Sequence, residues 1–224
     1  MRPNNEDAFF AGPRLLAVAD GVGGHAAGEV ASATIIESLT PLGDCEPGYD
    51  LVGVLLGAVV AGNAAIAERV KEDPRLGGMS TTLTAILFGG ARYCLLNIGD
   101  SRTYGVRDGT LTQLTRDDSY VQLLVDEGHI TQEAADVHPQ RNLVLQALTG
   151  EEVMEPAMTV QEALAGDRFM LCSDGLTDVL DHATLAEALQ DGEPQACVDR
   201  LIELAIDGGT RDNVTVIVAD VVED

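Results

Sequence analysis

The order of apolar segments along the 224-residue chain predicts an α+β protein, with antiparallel sheets covered by paired helices. Tight turns at Gly89-Gly90 and Asp108-Gly109 join neighbouring strand-like runs, and such short loops connect antiparallel strands. Helix-like segments come in pairs between groups of strands. The regular strand–helix–strand alternation of a doubly wound parallel sheet is missing.

Residues 14–19 (RLLAVA) form a short apolar run and read as a buried strand ending at Asp20-Gly21. Residues 29–39 show helical spacing. A second, longer helix is expected over 51–70, closed by Asp73-Pro74. Strands follow at 81–88 and 93–98, then a hairpin of 103–107 and 110–114 about Asp108-Gly109. Short helices are expected at 120–127 and 131–135, and an irregular stretch carries His138-Pro139. A strand at 168–172, helices at 183–189 and 195–206, and a long apolar strand at 214–222 complete the order. No internal repeat, low-complexity tract or Pro-rich linker interrupts the chain, so residues 1–224 read as one domain.

Composition excludes several partners. The chain carries 37 acidic and 13 basic side chains, a formal net charge of −24. Nucleic acid and anionic membrane surfaces both need Lys and Arg for neutralisation, so neither is expected as a partner. The apolar stretch at 51–61 is interrupted by glycine and reads as too short to span a bilayer. The N-terminus has no apolar signal core, and Cys45, Cys94, Cys172 and Cys197 form no C-x-x-C pair. These features fit buried thiols in a reducing cytoplasm rather than a disulfide frame or a zinc site. Hydrophobic residues make up 46% of the chain, enough for an ordinary core.

One pattern recurs at the strand ends. LLAVA runs into Asp20-Gly21, YCLLNIG into Asp100-Ser101, and FMLCS into Asp174-Gly175. The last strand is entered from Asp212-Asn213. Taken singly, Asp-Gly after a strand is an ordinary turn. Asp100 and Asp212 lack the following Gly, and several sheet ends meeting at one rim would gather these acids. Two like charges about 4 Å apart at an effective dielectric constant of about 20 repel by roughly 4 kcal/mol. Such a group stays ionised only if cations neutralise it. An all-oxygen donor set selects hard ions, Mg²⁺ or Mn²⁺, over Zn²⁺.

Eight blocks carry a resemblance. They are Arg2-x-x-x-Glu6-Asp7, Asp20-Gly21-Val22-Gly23-Gly24-His25-x-x-Gly28-Glu29, Met79-x-Thr81-Thr82, Gly99-Asp100-Ser101-Arg102, Leu114-Thr115-x-Asp117, His138-Pro139-x-Arg141-Asn142, Cys172-Ser173-Asp174-Gly175-Leu176-x-Asp178 and Asp212-Asn213-Val214-Thr215. In this order the chain resembles the metal-dependent protein phosphatases (PPM, type 2C), over almost its whole length. It looks closest to the actinobacterial Ser/Thr phosphatases that oppose receptor-like kinases.

The resemblance implies a sandwich of two antiparallel sheets flanked on both sides by helix pairs. It implies hydrolysis of phosphoserine and phosphothreonine by in-line attack of a hydroxide bridging two Mn²⁺ or Mg²⁺ ions, without a covalent intermediate. Asp20 matches the acid that bridges both ions, with the Gly21 carbonyl completing the shell of the second ion. Asp174 and Asp212 match the other ligands of the first ion. Glu6 and Asp7 match acids near the metals that act through water. Asp100 matches the acid that holds a third, weaker ion together with Asp174, and Asp178 assists there. Arg2 matches the guanidinium that grips the substrate phosphate, and His25 the candidate general acid for the leaving alkoxide.

The segment at about 126–150 corresponds to the family's variable flap, where Arg141 is a candidate for substrate contact. Asp117-Asp118 replaces the family's usual Asp-His pair; Asp117 reads as structural and Asp118 as a tolerated change. Relatives carry one more strand before the first block, whereas Arg2 here follows Met1 directly. Phosphorylated proteins, Ser/Thr kinases among them, are the implied partners of a monomeric cytoplasmic domain, with a longer membrane-anchored parent an open alternative. Two competing readings are a phosphoprotein-binding module without turnover and a phosphatase of anti-sigma-factor antagonists.

Overall fold

The computed structural model describes residues 4–22, 27–44, 48, 50–151 and 156–223. Two antiparallel sheets lie face to face between layers of helices, as expected. The first sheet has the order β1 (Asp7–Ala11), β2 (Leu15–Val22), β4 (Leu83–Gly89), β5 (Arg92–Ile98), β8 (Ala157–Glu162), and the two-residue β3 (Ser80–Thr81) adds to β2. The second runs β10 (Val216–Asp220), β9 (Arg168–Cys172), β6 (Arg102–Arg107), β7 (Thr110–Gln113).

The period-two alternation of each strand sorts its side chains between layers. In β2, Leu15, Ala17 and Ala19 face the helices α1 (Ala27–Leu39) and α2 (Leu51–Glu72), whereas Leu16 and Val18 face the second sheet. In β9, Met170 and Cys172 face the other helical layer, while Phe169 and Leu171 fill the space between sheets. That layer consists of α5 (Asp174–Thr177), α6 (His182–Gln190) and α7 (Pro194–Asp207). Phe169 meets Tyr93 edge-on at 4.9 Å between ring centroids, closing the middle of the sandwich. Nearer the acid-bearing end, the interface turns polar. Hydroxyls pair across it, Thr84 with Thr103 at 2.7 Å and Thr82 with Ser101 at 2.8 Å.

The element order agrees with the sequence expectation in the main, and the differences that matter to the site and the sheets are these. Strand β2 continues through Asp20 and Gly21 to Val22, so these residues are strand and not turn. Strand β1 was not anticipated, because five residues between charged and Gly-Pro segments carry little periodicity. Strand β8 was also missed; it is an edge strand, mostly exposed, and lacks an alternating apolar pattern. The expected strand at 214–222 is shortened to Val216–Asp220, because Val214 and Thr215 bridge into the loop that carries Asp212.

The expectation for the apolar stretch at 51–61 needs correction. The helix it belongs to runs 22 residues and is, by length and composition, long and apolar enough to cross a membrane. Leu51, Leu55, Val59 and Ile66 are nevertheless buried against α1 and the first sheet at the spacing of an amphipathic helix. Asp50 caps its N-terminus through the Gly53 N–H, and the chain turns at Asp73-Pro74 as expected. Cys94, Cys172 and Cys197 are buried free thiols.

Candidate active site

The two sheets bring their acid-bearing strand ends together on one side of the sandwich. Strands β1 and β2 pair with Asp7 opposite Asp20, so the two carboxylates share a face of the first sheet. Continuing the alternation of Leu16 and Val18, that face is the one turned toward the second sheet. The backbone of Asp20 is fixed on three sides. Its N–H donates to Thr82 Oγ1 at 3.1 Å, and its carbonyl accepts from the Thr82 N–H and the Thr81 hydroxyl, each at 2.9 Å.

From the second sheet, Ser173 and Thr215 reach across. Both hydroxyls donate to Asp7 Oδ2, at 2.9 and 2.7 Å, and Ser173 Oγ accepts from the Thr215 N–H. Asp174 follows Ser173 at the end of β9. The Asp212-Asn213 loop lies alongside, with Asn213 Oδ1 accepting from the Glu6 N–H at 3.1 Å. Close backbone approach requires two glycines here. A Cβ on Gly175 would stand 2.0 Å from the Asn213 carbonyl oxygen, and one on Gly21 would stand 2.3 Å from that of Gly28.

Burial and mutual repulsion dominate the electrostatics. Burial pushes Asp20 well above the usual carboxylate range, and the facing Asp174, Asp7 and Asp100 push it further. Asp100 rises to about 7 through burial and the charges of Asp174 and Asp117. Asp174 rises to about 6 through burial and the nearby Asp178, with smaller contributions from Asp212 and Asp7. Burial raises Asp7 as well, against the pull of its two hydroxyl donors. Asp7, Asp20, Asp100, Asp174 and Asp212 therefore converge, each acting on at least one other.

These residues fit hard divalent cations. The donors are all oxygen, and Asp7 Oδ1 and Asp174 Oδ1 are buried with no hydrogen-bond donor facing them among the described residues. Among those residues no three His, Cys, Asp or Glu side chains are already drawn into a coordination shell.

The other expected site residues are placed as follows. Glu6 is buried against Gly28 in the first turn of α1, where a Cβ on Gly28 would stand 2.5 Å from Glu6 Oε2. Asp178 caps α5 and accepts from Asn142 Nδ2 at 2.9 Å; the Arg141 guanidinium stands 3.9 Å from it. Arg2 and His25 lie outside the described residues.

Asp118, expected to be a tolerated change, holds the loop before Asp100. Its Oδ2 accepts from the Gly99 N–H at 3.1 Å, its own N–H donates to the Gly99 carbonyl, and its carbonyl accepts from Leu145 in the flap. Asp117 is structural as expected, chelated by the Arg102 guanidinium. The roles of Ser173 and Thr215 were missed; both stand in the motif blocks, but only the fold shows that their hydroxyls meet Asp7. Cys172 is fully enclosed, and burial pushes its thiol up to about 12, which leaves it no nucleophilic character near neutral pH.

Comparison with known proteins points to one family. Residues 3–200 match the protein phosphatase 2C family. The chain is 60% identical over 223 residues to the serine/threonine protein phosphatase PstP of Mycobacterium tuberculosis, covering 100% of this chain and 43% of that protein. The serine/threonine phosphatase stp of Listeria innocua is 33% identical over 214 residues, 92% of this chain and 84% of that protein. The catalytic domain of M. tuberculosis PstP in complex with two manganese ions superposes with a TM-score of 0.94 at 58% identity, covering 100% of this chain and 94% of that one. Stp1 of Staphylococcus aureus superposes with a TM-score of 0.90 at 32% identity, covering 99% and 91%.

Proposed function

Since the chain belongs to the protein phosphatase 2C family, we propose that residues 1–224 act as one catalytic domain that removes phosphate from phosphoserine and phosphothreonine in proteins. Serine/threonine kinases and their targets are the partners this reading implies. The chain spans 43% of the length of PstP, so in this reading the domain works within a longer protein.

The observation that carries the reading is the convergence of five aspartates from both sheets, with two buried carboxylate oxygens that no donor faces among the described residues. In this assignment Asp20, Asp174 and Asp212, with the Gly21 carbonyl, hold two Mn²⁺ or Mg²⁺ ions. Asp100 and Asp174 would hold a weaker third, with Asp178 beside them, and Glu6 and Asp7 would act through water. Bound divalent ions offset the carboxylate charge and supply Lewis acidity toward water and phosphate.

The chain's own contribution is preorganisation. The Thr81 and Thr82 contacts fix the Asp20 backbone, the Ser173 and Thr215 hydroxyls orient Asp7, and the sheets exclude water from below. Arg2 is assigned to the phosphate oxygens and His25 to the proton needed by the departing serine or threonine oxygen. In this reading water attacks phosphorus directly and the serine or threonine oxygen departs; the enclosed Cys172 offers no competing thiolate.

Hydrolysis of p-nitrophenyl phosphate and of a phosphothreonine peptide, with and without Mn²⁺, tests the reading. Wild type should release phosphate only with the metal, and Asp174→Ala should not. Pure wild-type protein that binds a phosphopeptide without metal-dependent turnover would make the chain a binding module instead.

A further inference from the structure

A cavity of ≈ 260 Å³ opens beside the acid rim and shares Asp100 and Asp174 with it. Its far wall is built by α3 (Tyr120–Asp126), α4 (Gln132–Asp136) and the turn between α5 and α6. Two kinds of surface meet there. Val121, Ala135 and Leu180 are buried and give an apolar lining. Asp136, Asp178 and Asp181 stand exposed around it.

Two arginines line it, and only one of them is chelated. Arg102 is chelated by Asp117, and Arg141 stands 3.9 Å from Asp178. Asp136 accepts a hydrogen bond from Gln132, and Asp181 one from the Thr184 N–H, which holds its carboxyl below the usual range. Among the described residues neither is paired with a guanidinium or ammonium group.

At the far wall, away from the carboxylates assigned to metal, Asp136 and Asp181 would repel a phosphate. A long basic side chain fits both surfaces, its methylene stem over the apolar lining and its head among the carboxylates. The whole molecule favours the same ligand. At −24, the protein repels an approaching phosphate group, and cations flanking that phosphate offset the repulsion.

We propose that this cavity is a substrate subsite for an arginine or lysine side chain close in sequence to the phosphorylated residue, with Asp136 and Asp181 receiving its charge. The proposal rests on the phosphoprotein reading above and adds the substrate class.

The test is a set of phosphothreonine peptides in which a single arginine is moved through the positions flanking the phosphothreonine, against the all-alanine parent, with Mn²⁺ at low and high salt. At a restricted set of positions arginine should raise kcat/KM by about fivefold, an advantage that salt erodes. Asp136→Asn should shrink that advantage and Asp136→Lys should abolish it. Glu72→Lys, the same charge reversal at the end of α2, should keep the positional preference.

Equal kcat/KM for every peptide would overturn the subsite while leaving the phosphatase reading standing. So would a preference that persists in both Asp136 variants or is lost equally in Glu72→Lys. Absence of metal-dependent hydrolysis of any peptide by wild type would remove both.

Discussion

Strand β9 has an aspartate just beyond each of its ends, and the two live in opposite electrostatic worlds. Asp167, before the strand, is only 4% exposed, yet the Arg107 guanidinium grips both its oxygens and the Leu164 N–H donates to one of them. Its carboxyl is held below the usual range, chiefly by the Arg107 hydrogen bonds. Asp174, after the strand, is surrounded by other carboxylates and has an oxygen that no donor faces among the described residues. The same side chain, separated by one strand, is a structural ion pair at one end and an unsatisfied charge at the other. Burial therefore does not mark a functional acid; burial without a counter-charge does.

The sharpest contrast should come from removing each acid. Asp20→Ala should lower Mn²⁺-dependent turnover by about a thousandfold or more, since metal and nucleophile positioning fail together. Steady-state assay with phosphothreonine peptide reads this directly. Asp167→Ala should leave the chemistry in place and lower unfolding free energy by only about 1–2 kcal/mol, measured by urea titration, chiefly because it strands the Leu164 N–H; the half-exposed Arg107 guanidinium returns to water.

A third experiment reverses the usual sign of a mutation. In EDTA, Asp174→Asn should melt at a higher temperature than wild type, because it deletes a buried charge that repels its neighbours. A lower metal-free melting temperature would mean that the carboxylate is satisfied by contacts beyond those described.

The pH dependence of the metal-free protein follows the same logic. Asp100 at about 7 and Asp174 at about 6 bind protons more tightly folded than unfolded, where the ordinary value is 3.8. Between the unfolded and folded values the native state carries more protons, so metal-free stability should fall as pH rises from about 4 to about 7 and level off above. Each differing proton contributes a slope of at most about 1.4 kcal/mol per pH unit. Saturating Mn²⁺ should flatten this profile, and melting curves across that range with and without EDTA measure it. The smallest effect belongs to Asp118→Ala. Losing its hold on the Gly99 N–H should loosen Asp100 and raise the Mn²⁺ concentration needed for half-maximal rate by about threefold, with kcat at saturating Mn²⁺ little changed.

Much of this was readable along the chain. The LLAVA, YCLLNI and RFMLC runs announced buried strands, Asp108-Gly109 announced its hairpin, and Asp108 takes the positive φ of 53° that such a turn needs. Acids placed just after apolar strands were visible as a repeated pattern, and ordered motif blocks named the family. The apolar runs and turn dipeptides could do this because they are local: a handful of neighbouring residues determines burial period and backbone sign. The exposed edge strand β8 was silent for the same reason, since its partner β5 lies far away in the chain.

What neighbouring residues could not convey is register and distance across sheets. Asp7 stands opposite Asp20 because of how β1 pairs with β2, and it meets Ser173 and Thr215 because two sheets stack at one particular offset. Asp118 read as a tolerated change along the chain, and only the fold places its carboxylate on the Gly99 N–H. The difference between Asp167 and Asp174 has the same origin. Whether an aspartate meets an arginine or another aspartate is decided by chain segments distant in sequence, through packing that no local pattern encodes.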